Sequence, residues 1–334
     1  MRMVRLTRAQ QQERTRAAVL AAAEDEFAEQ GYVDAKVDRI AERAELTRGA
    51  VYSNFPSKRA LYLAVLVHLV ERDAPAAQAG PAGVGAFARA WLERLPMATD
   101  PPGGHLRLRS LAGVLDDASV RATFAQVTRL EAQLLAFALE SVRPGRQVRL
   151  AELVLTLLTG AGQLAEVAPG FGDPFDVIRA CELLAETDLD DQWAPPHLAY
   201  IDPAVPCDEE WTGPAEDGVV VVLGTARLSA VEEAVRAARP GDRVTVAVVT
   251  SDPAELGRLV RLRVNDLTGC LRQVFEPDPP LRLMLDGAEV AAAVGVDAAD
   301  DTEAAVRVRS GRIVARAEGR GAGHAAATAP VRTR

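Results

Sequence analysis

Lysine is nearly absent from this chain. Of its 38 basic residues only Lys36 and Lys58 are lysines, and both fall among the first sixty residues. Cysteine is equally sparse. Cys181, Cys207 and Cys270 have neither the CxxC spacing of a metal site nor that of a disulfide framework, which fits a reducing cytoplasm and three buried small hydrophobes. Acidic neighbours Asp208, Glu209 and Glu210 disfavour a reactive thiolate at Cys207. No apolar run approaches the ~20 residues of a membrane span, and no secretory signal opens the chain. The expectation is therefore a cytoplasmic protein with no membrane attachment. No phosphate-cradling glycine pattern follows the apolar run ending at Leu223, so a nucleotide site is unsupported and no cofactor is expected.

What is present is an uneven charge. The net charge is −9, yet residues 1–60 carry 11 Lys+Arg against 9 Asp+Glu, leaving all the excess acid in the rest. A weakly positive head on an acidic body suits docking to a polyanion through one end. Arg2, Arg5, Arg8, Arg14 and Arg16 face only Glu13 in the first sixteen residues. That segment reads either as a solvated tail or as an arm reaching DNA phosphate or minor groove. A chain of 334 residues has room for two or three domains.

The segment from Lys36 to Leu61 carries most of the functional information. Val37, Ile40, Ala41 and Ala44 fall at i, i+3, i+4 and i+7, one buried face of a short helix. Thr47 then offers a cap to a second short helix with Val51 and Phe55 inward, which Pro56 stops; Ser57 caps a third. Ahead of them a helix spans about 8–30, with Thr7 and Gln10 as a capping box and Gly31 as terminator. Two short helices about a tight turn can place the second in a major groove. Its outward residues are Arg48, Gly49, Ala50, Ser53 and Asn54: small ones permit close approach, and Arg48 and Asn54 can bond bases. By themselves these residues suit a plain trihelical surface element equally well.

The same residues resemble the DNA-binding head of the TetR family of bacterial transcriptional regulators. The pattern Ile-Ala-x-x-Ala-Gly-Val-Ser-x-Gly-x-x-Tyr-x-x-Phe-x-x-Lys-x-x-Leu is met by Ile40, Ala41, Ala44, Gly49, Tyr52, Phe55, Lys58 and Leu61, with Leu46 and Thr47 as conservative variants. The resemblance implies that Thr47, Arg48 and Ala50 lie toward the operator, that Tyr52 and Lys58 grip phosphates and that Asn54 lies near the groove. Two departures stand out. Glu45 replaces the turn glycine, where a left-handed backbone costs about 1 kcal/mol. Lys36 replaces a capping threonine, losing a cap and gaining a phosphate-seeking charge.

Helical periodicity dominates from 57 to 192. The helix after Ser57 is apolar on two sides, as if sandwiched, and His68 lies on one of its stripes as a core residue or a sensing one. Further helices are expected near 84–95, 108–115, 119–142, from 147, and from 175. In TetR-like proteins the last two such helices pair across a two-fold axis. That implies a homodimer through roughly 147–190, with Leu153, Leu157, Gly160, Leu164, Ile178 and Cys181 as interface candidates. The family's middle region also encloses an effector pocket, for which Trp91, Leu95, Leu111, Phe124 and Phe137 are candidate lining residues or ordinary core.

Residues 193–217 hold five prolines among acids and read as a semi-rigid linker. The pattern then becomes strand–helix–strand: 219–223, 229–239, 244–250, 253–264, 281–285, 288–294, and a hairpin about Ser310-Gly311. This predicts an α/β domain with a mixed sheet over 218–320, followed by a disordered tail at 321–334. Leu285-Asp286-Gly287-Ala288-Glu289-Val290 and Gly311-Arg312-Ile313-Val314-Ala315-Arg316 resemble thioredoxin-like domains. Where that family keeps its redox cysteines, this chain has Gly224-Thr225-Ala226-Arg227-Leu228-Ser229. The expected whole is an all-α TetR-like part (head 1–56, helical body 57–192) followed by a non-catalytic α/β domain. Its expected function is that of a transcriptional repressor, not an enzyme, on a double-stranded DNA operator within the nucleoid and released by a small molecule. The alternative is a thioredoxin-like redox or protein-interaction protein that uses the head for targeting.

Overall fold

The computed structural model describes residues 7–72, 81–94, 111, 113–168, 170–195, 201–276 and 281–330. Helix α1 (Arg8–Asp34) opens on the expected capping box, Thr7 Oγ1 accepting from Gln10 N at 3.2 Å and Gln10 Oε1 from Thr7 N at 2.9 Å. Gly31, at φ +70°, breaks its helical path near the expected end. α2 (Val37–Arg43), α3 (Arg48–Asn54) and α4 (Lys58–Arg72) follow, then α5 (Val84–Leu92), α6 (Ala118–Glu140), α7 (Val148–Val167) and α8 (Pro174–Glu186). The helix expected near 108–115 lies largely outside the described residues; Val114–Asp116 forms a single 3-10 turn. Ala60–Val67 are all buried in α4, as its two apolar stripes require, but His68 is exposed and belongs to no core.

The second half is built on one six-stranded sheet of order β1-β6-β5-β2-β3-β4. Its strands are β1 (Val205–Glu210), β2 (Gly218–Gly224), β3 (Val244–Val249), β4 (Leu281–Met284), β5 (Glu303–Arg309) and β6 (Arg312–Glu318), with α9 (Val231–Ala237) between β2 and β3 and α11 (Ala288–Val294) between β4 and β5. β2, β3 and β4 run parallel, while β5, β6 and β1 add antiparallel pairings, so the sheet is mixed as expected. Val219, Val221 and Leu223 point to one face and Val220 and Val222 to the other. Both faces are covered, which is why β2 reads as a continuous apolar run. Ser310 (φ +50°) and Gly311 (φ +70°) are both left-handed, the backbone a two-residue hairpin turn needs.

Three expectations about boundaries are corrected. The segment 193–217 is not only linker: Val205–Glu210 pairs with β6, a strand hidden by its acids and tolerable with Pro206 because it lies at the sheet's edge. The tail is not disordered over 322–328, where Ala322–Thr328 forms helix α12 whose small side chains let it sit close on the sheet. The expected helix 253–264 is a π turn, Pro253–Gly257, leading into the longer α10 (Arg258–Val274).

That last element alters the architecture. Leu256, Leu259 and Leu262 enter the core formed by α1–α4; Val260 and Val264 join the sheet's core; Leu267, Cys270 and Phe275 join α5, α7 and α8. The sheet in turn packs on Val127, Leu130 and Phe137 of α6. The 192/218 boundary therefore does not divide the hydrophobic core. A polar seam follows the same contact, with Glu131 meeting Arg263 at 2.7 Å, Arg236 meeting Glu140, and Arg146 meeting Glu232 at 2.7 Å. Burial pushes the Glu131 carboxyl up, against the pull of Arg263.

Candidate nucleic-acid interface

The head is assembled from inside outwards. Val37, Ile40, Ala41, Val51 and Phe55 pack with Val19, Ala23 and Phe27 of α1 and with Leu61 and Tyr62 of α4. Phe27 meets Tyr62 edge-on with ring centroids 4.9 Å apart. Burying Phe27, Ile40 and Phe55 completely contributes roughly 1.5–3 kcal/mol each, enough to fix the two short helices at one angle. The turn between them passes through Glu45 at φ +54°, the conformation for which a glycine is usual. Leu46 N closes it on Ala41 O at 2.9 Å. Thr47 caps α3 through Oγ1, which accepts from Ala50 N at 3.2 Å. Lys36 provides no side-chain cap for α2. Its backbone N–H instead donates to Glu26 Oε1 at 3.2 Å, and this fully buried carboxylate also faces Arg43.

What remains outside is the face expected to meet DNA. Lys36, Thr47, Arg48, Gly49, Tyr52 and Ser53 are exposed, and Ala50 and Asn54 are partly so. A Cβ on Gly49 would meet nothing closer than Thr47 Oγ1 at 3.9 Å. No internal contact demands glycine there, although glycine costs a helix interior about 1 kcal/mol; the freed space faces outward. Arg48 pairs with Asp38 at 3.2 Å and lies over the Tyr52 ring, 5.5 Å from its centroid. Ser53 and Asn54 fold back to donate to Ala50 O. Lys58 is turned inward, Nζ donating to Val33 O at 2.9 Å above the Tyr32 ring, and burial lowers its pKa.

Sequence reasoning missed the groups that hold this face in place. Glu26 reads as one more solvated acid of α1, and Asp38 gives no sign of its partner. Glu255 and Arg258 come from about two hundred residues away. Arg258 lies 5.5 Å from the Phe55 ring centroid and Arg16 lies 4.7 Å from it.

The model of the family described as bacterial regulatory proteins, tetR family, matches residues 19–65, which take in α2 and α3 whole and parts of α1 and α4. A TetR-family transcriptional regulator from Pectobacterium atrosepticum shares 30% identity over 54% of this chain and 95% of its own, with a TM-score of 0.39. The chain belongs to the TetR family. A transcriptional regulator from Rhodococcus sp. Rha1 shares 21% identity over 51% of this chain and 94% of its own (TM-score 0.38). NalD of Pseudomonas aeruginosa, the secondary repressor of the MexAB-OprM multidrug efflux pump, shares 23% over 53% and 96% (TM-score 0.36). The assignment rests on the motif and the 30% identity, and the superpositions carry none of it. Comparison with curated proteins gives no match. Each of these regulators is covered almost end to end by about half of this TetR-family chain.

The other candidate residues divide clearly. Leu111 and Phe124 pack against the head's core, Phe137 against the sheet, and Trp91 in the core of α5, α7 and α8. These four residues are thus spread over three hydrophobic clusters; Leu95 lies outside the described residues. Of the interface candidates, Ile178 and Cys181 face the protomer's own core, and burial pushes the Cys181 thiol up to about 11. Leu153 and Leu164 are exposed, and nothing lies within 4 Å of a Cβ on Gly160.

Proposed function

We propose that this TetR-family protein is a repressor that binds a palindromic operator as a homodimer, acting on DNA in the bacterial cytoplasm and released by a small molecule. The head presents Arg48, Gly49, Ala50, Tyr52, Ser53 and Asn54 on one exposed helix, with Lys36 beside it. The observation that carries the dimer is an apolar face on α7 and α8. Leu153, Leu157, Gly160, Leu164 and Val167 recur at helical spacing along it. Phe171, Phe175 and Leu183 extend it, with Val167, Phe171 and Phe175 exposed to 75%, 68% and 72%. Apolar surface of this extent marks a contact site. α7 is also long and apolar enough to cross a bilayer, contrary to expectation. A second copy of the chain covers such a face isologously, as a two-fold operator reader requires.

Selection of bound duplexes from a random pool should return an inverted repeat. Phe175→Asp should give a monomer by light scattering and lose operator affinity by at least about tenfold, since two half-sites are then read separately. A dimeric Phe175→Asp protein would refute this interface. The redox alternative has less support, because the turn from Gly224 to Ser229 holds no cysteine and Cys181 and Cys270 are buried elsewhere.

A further inference from the structure

Glu255 reaches the head from the second half of the chain. Its carboxylate accepts from Ser57 Oγ and Arg59 Nε at the start of α4, immediately after the recognition helix. Ser57 Oγ in turn accepts from Ala60 N at 2.9 Å, so Glu255 holds the group that caps α4. One turn later Arg258 donates to Ala60 O at 3.0 Å and lies over Phe55, the residue that ends the recognition helix. Glu255 and Arg258 thus hold both sides of the joint between α3 and α4.

The other end of this hold lies at the carboxyl ends of β2 and β3. Asp300 accepts from Thr225 Oγ1 (3.0 Å), Thr250 Oγ1 (2.6 Å), Ser251 N (3.1 Å) and Ser251 Oγ (2.7 Å). Asp252 N donates to Thr250 Oγ1 at 3.1 Å, and Asp252 Oδ1 accepts from Ala254 N and Glu255 N at 3.1 and 3.0 Å. A continuous hydrogen-bonded path therefore runs from the sheet to the α4 cap, alongside the apolar wedge of Leu256, Leu259 and Leu262.

We propose that Glu255 and Arg258 are positioning residues for DNA binding, through which the α/β part sets the angle of the head. This rests on the operator-binding reading and adds its regulation: a change at the sheet is felt at the recognition helix without any occupant of the helical body. Among the described residues Glu255 bonds to Ser57, Arg59 and Asp252 rather than to the outward-facing residues of α3, so its effect is on orientation. Two heads must meet half-sites about 34 Å apart, and a loosened joint costs affinity without removing a phosphate contact.

The test uses full-length protein and the duplex that the unsubstituted chain selects from a random pool. Glu255→Gln and Arg258→Met should each weaken binding about fivefold or more, with an unchanged salt slope and unchanged dimer mass. The exchanged pair Arg59→Glu with Glu255→Arg should recover most of the loss. Amide exchange over 55–61 should quicken in the single variants while the strands stay protected. Unaltered or tighter binding by Glu255→Gln would overturn the proposal, as would a changed salt slope, which would mean that Glu255 acts on the phosphate field. If the unsubstituted chain selects no duplex, the regulator reading fails and this proposal with it.

Discussion

Arg48 opens the outward face of α3, and its ion pair with Asp38 bears on how it would read a base. Both partners are exposed, so solvent screens the pair and leaves it weak, and weaker still in salt. A bidentate contact from arginine to guanine discriminates by about 1–3 kcal/mol. The exchange is favourable only on a matched base, so Asp38 competes against weak, unspecific contacts. Arg48→Ala should accordingly flatten sequence preference at one operator position by about 1–3 kcal/mol in a competition assay. Tyr52→Ala should instead weaken binding to matched and unmatched duplexes alike. Full operator affinity in Tyr52→Ala would remove that residue from the interface.

At the scale of elements, the turns after β2 and β3 depend on Asp300. Burial alone would raise its carboxyl pKa, but hydrogen bonds from Thr250, Ser251 and Thr225 outweigh burial and hold it below the usual value. A carboxylate depressed in the folded state stabilises above its unfolded pKa of about 3.9 and loses that contribution as pH falls through the folded value. Asp300→Asn should therefore lower the melting temperature at pH 7, at a cost of about 1–3 kcal/mol from unsatisfied hydroxyls. The gap to the unsubstituted protein should close below about pH 4. A gap that widened on acidification would contradict the assignment. Little of this cluster was legible, since Thr225, Thr250 and Asp300 meet only through the parallel pairing of β2 with β3. The elements themselves were far more legible. β2 and β3 are apolar runs, the hairpin is marked by Ser310-Gly311, and the head by its period and caps. Helix α10 outruns its expected end at 264 because Asn265, Asp266 and Gly269 break the apolar pattern in the sequence, while Leu267 and Cys270 continue its buried face. α12 reads as a tail in the sequence because alanine and glycine carry no amphipathic signal, although a Cβ on Gly323 would come within 2.9 Å of Ala234 Cβ.

At the scale of the whole molecule, a TetR-like part and an appended α/β domain suggest two folding units, but the core argues for one. Leu259 and Leu267 are fully buried against the helical body, as is Val127 of α6 in the sheet's core. Removing one such leucine typically costs 2–5 kcal/mol, and domains have only about 5–15 kcal/mol in total. Removing all of α10 and the sheet also takes Arg263 from Glu131 and the Glu255 carboxylate from Ser57. A fragment of residues 1–195 should consequently keep helical far-ultraviolet dichroism, lose near-ultraviolet dichroism and bind an apolar dye, the behaviour of a loosened core. The full chain should melt in one transition, with calorimetric and van't Hoff enthalpies equal. A fragment that melted cooperatively at the full chain's temperature would show that the helical part stands alone, and that α10 rests on its surface rather than within its core.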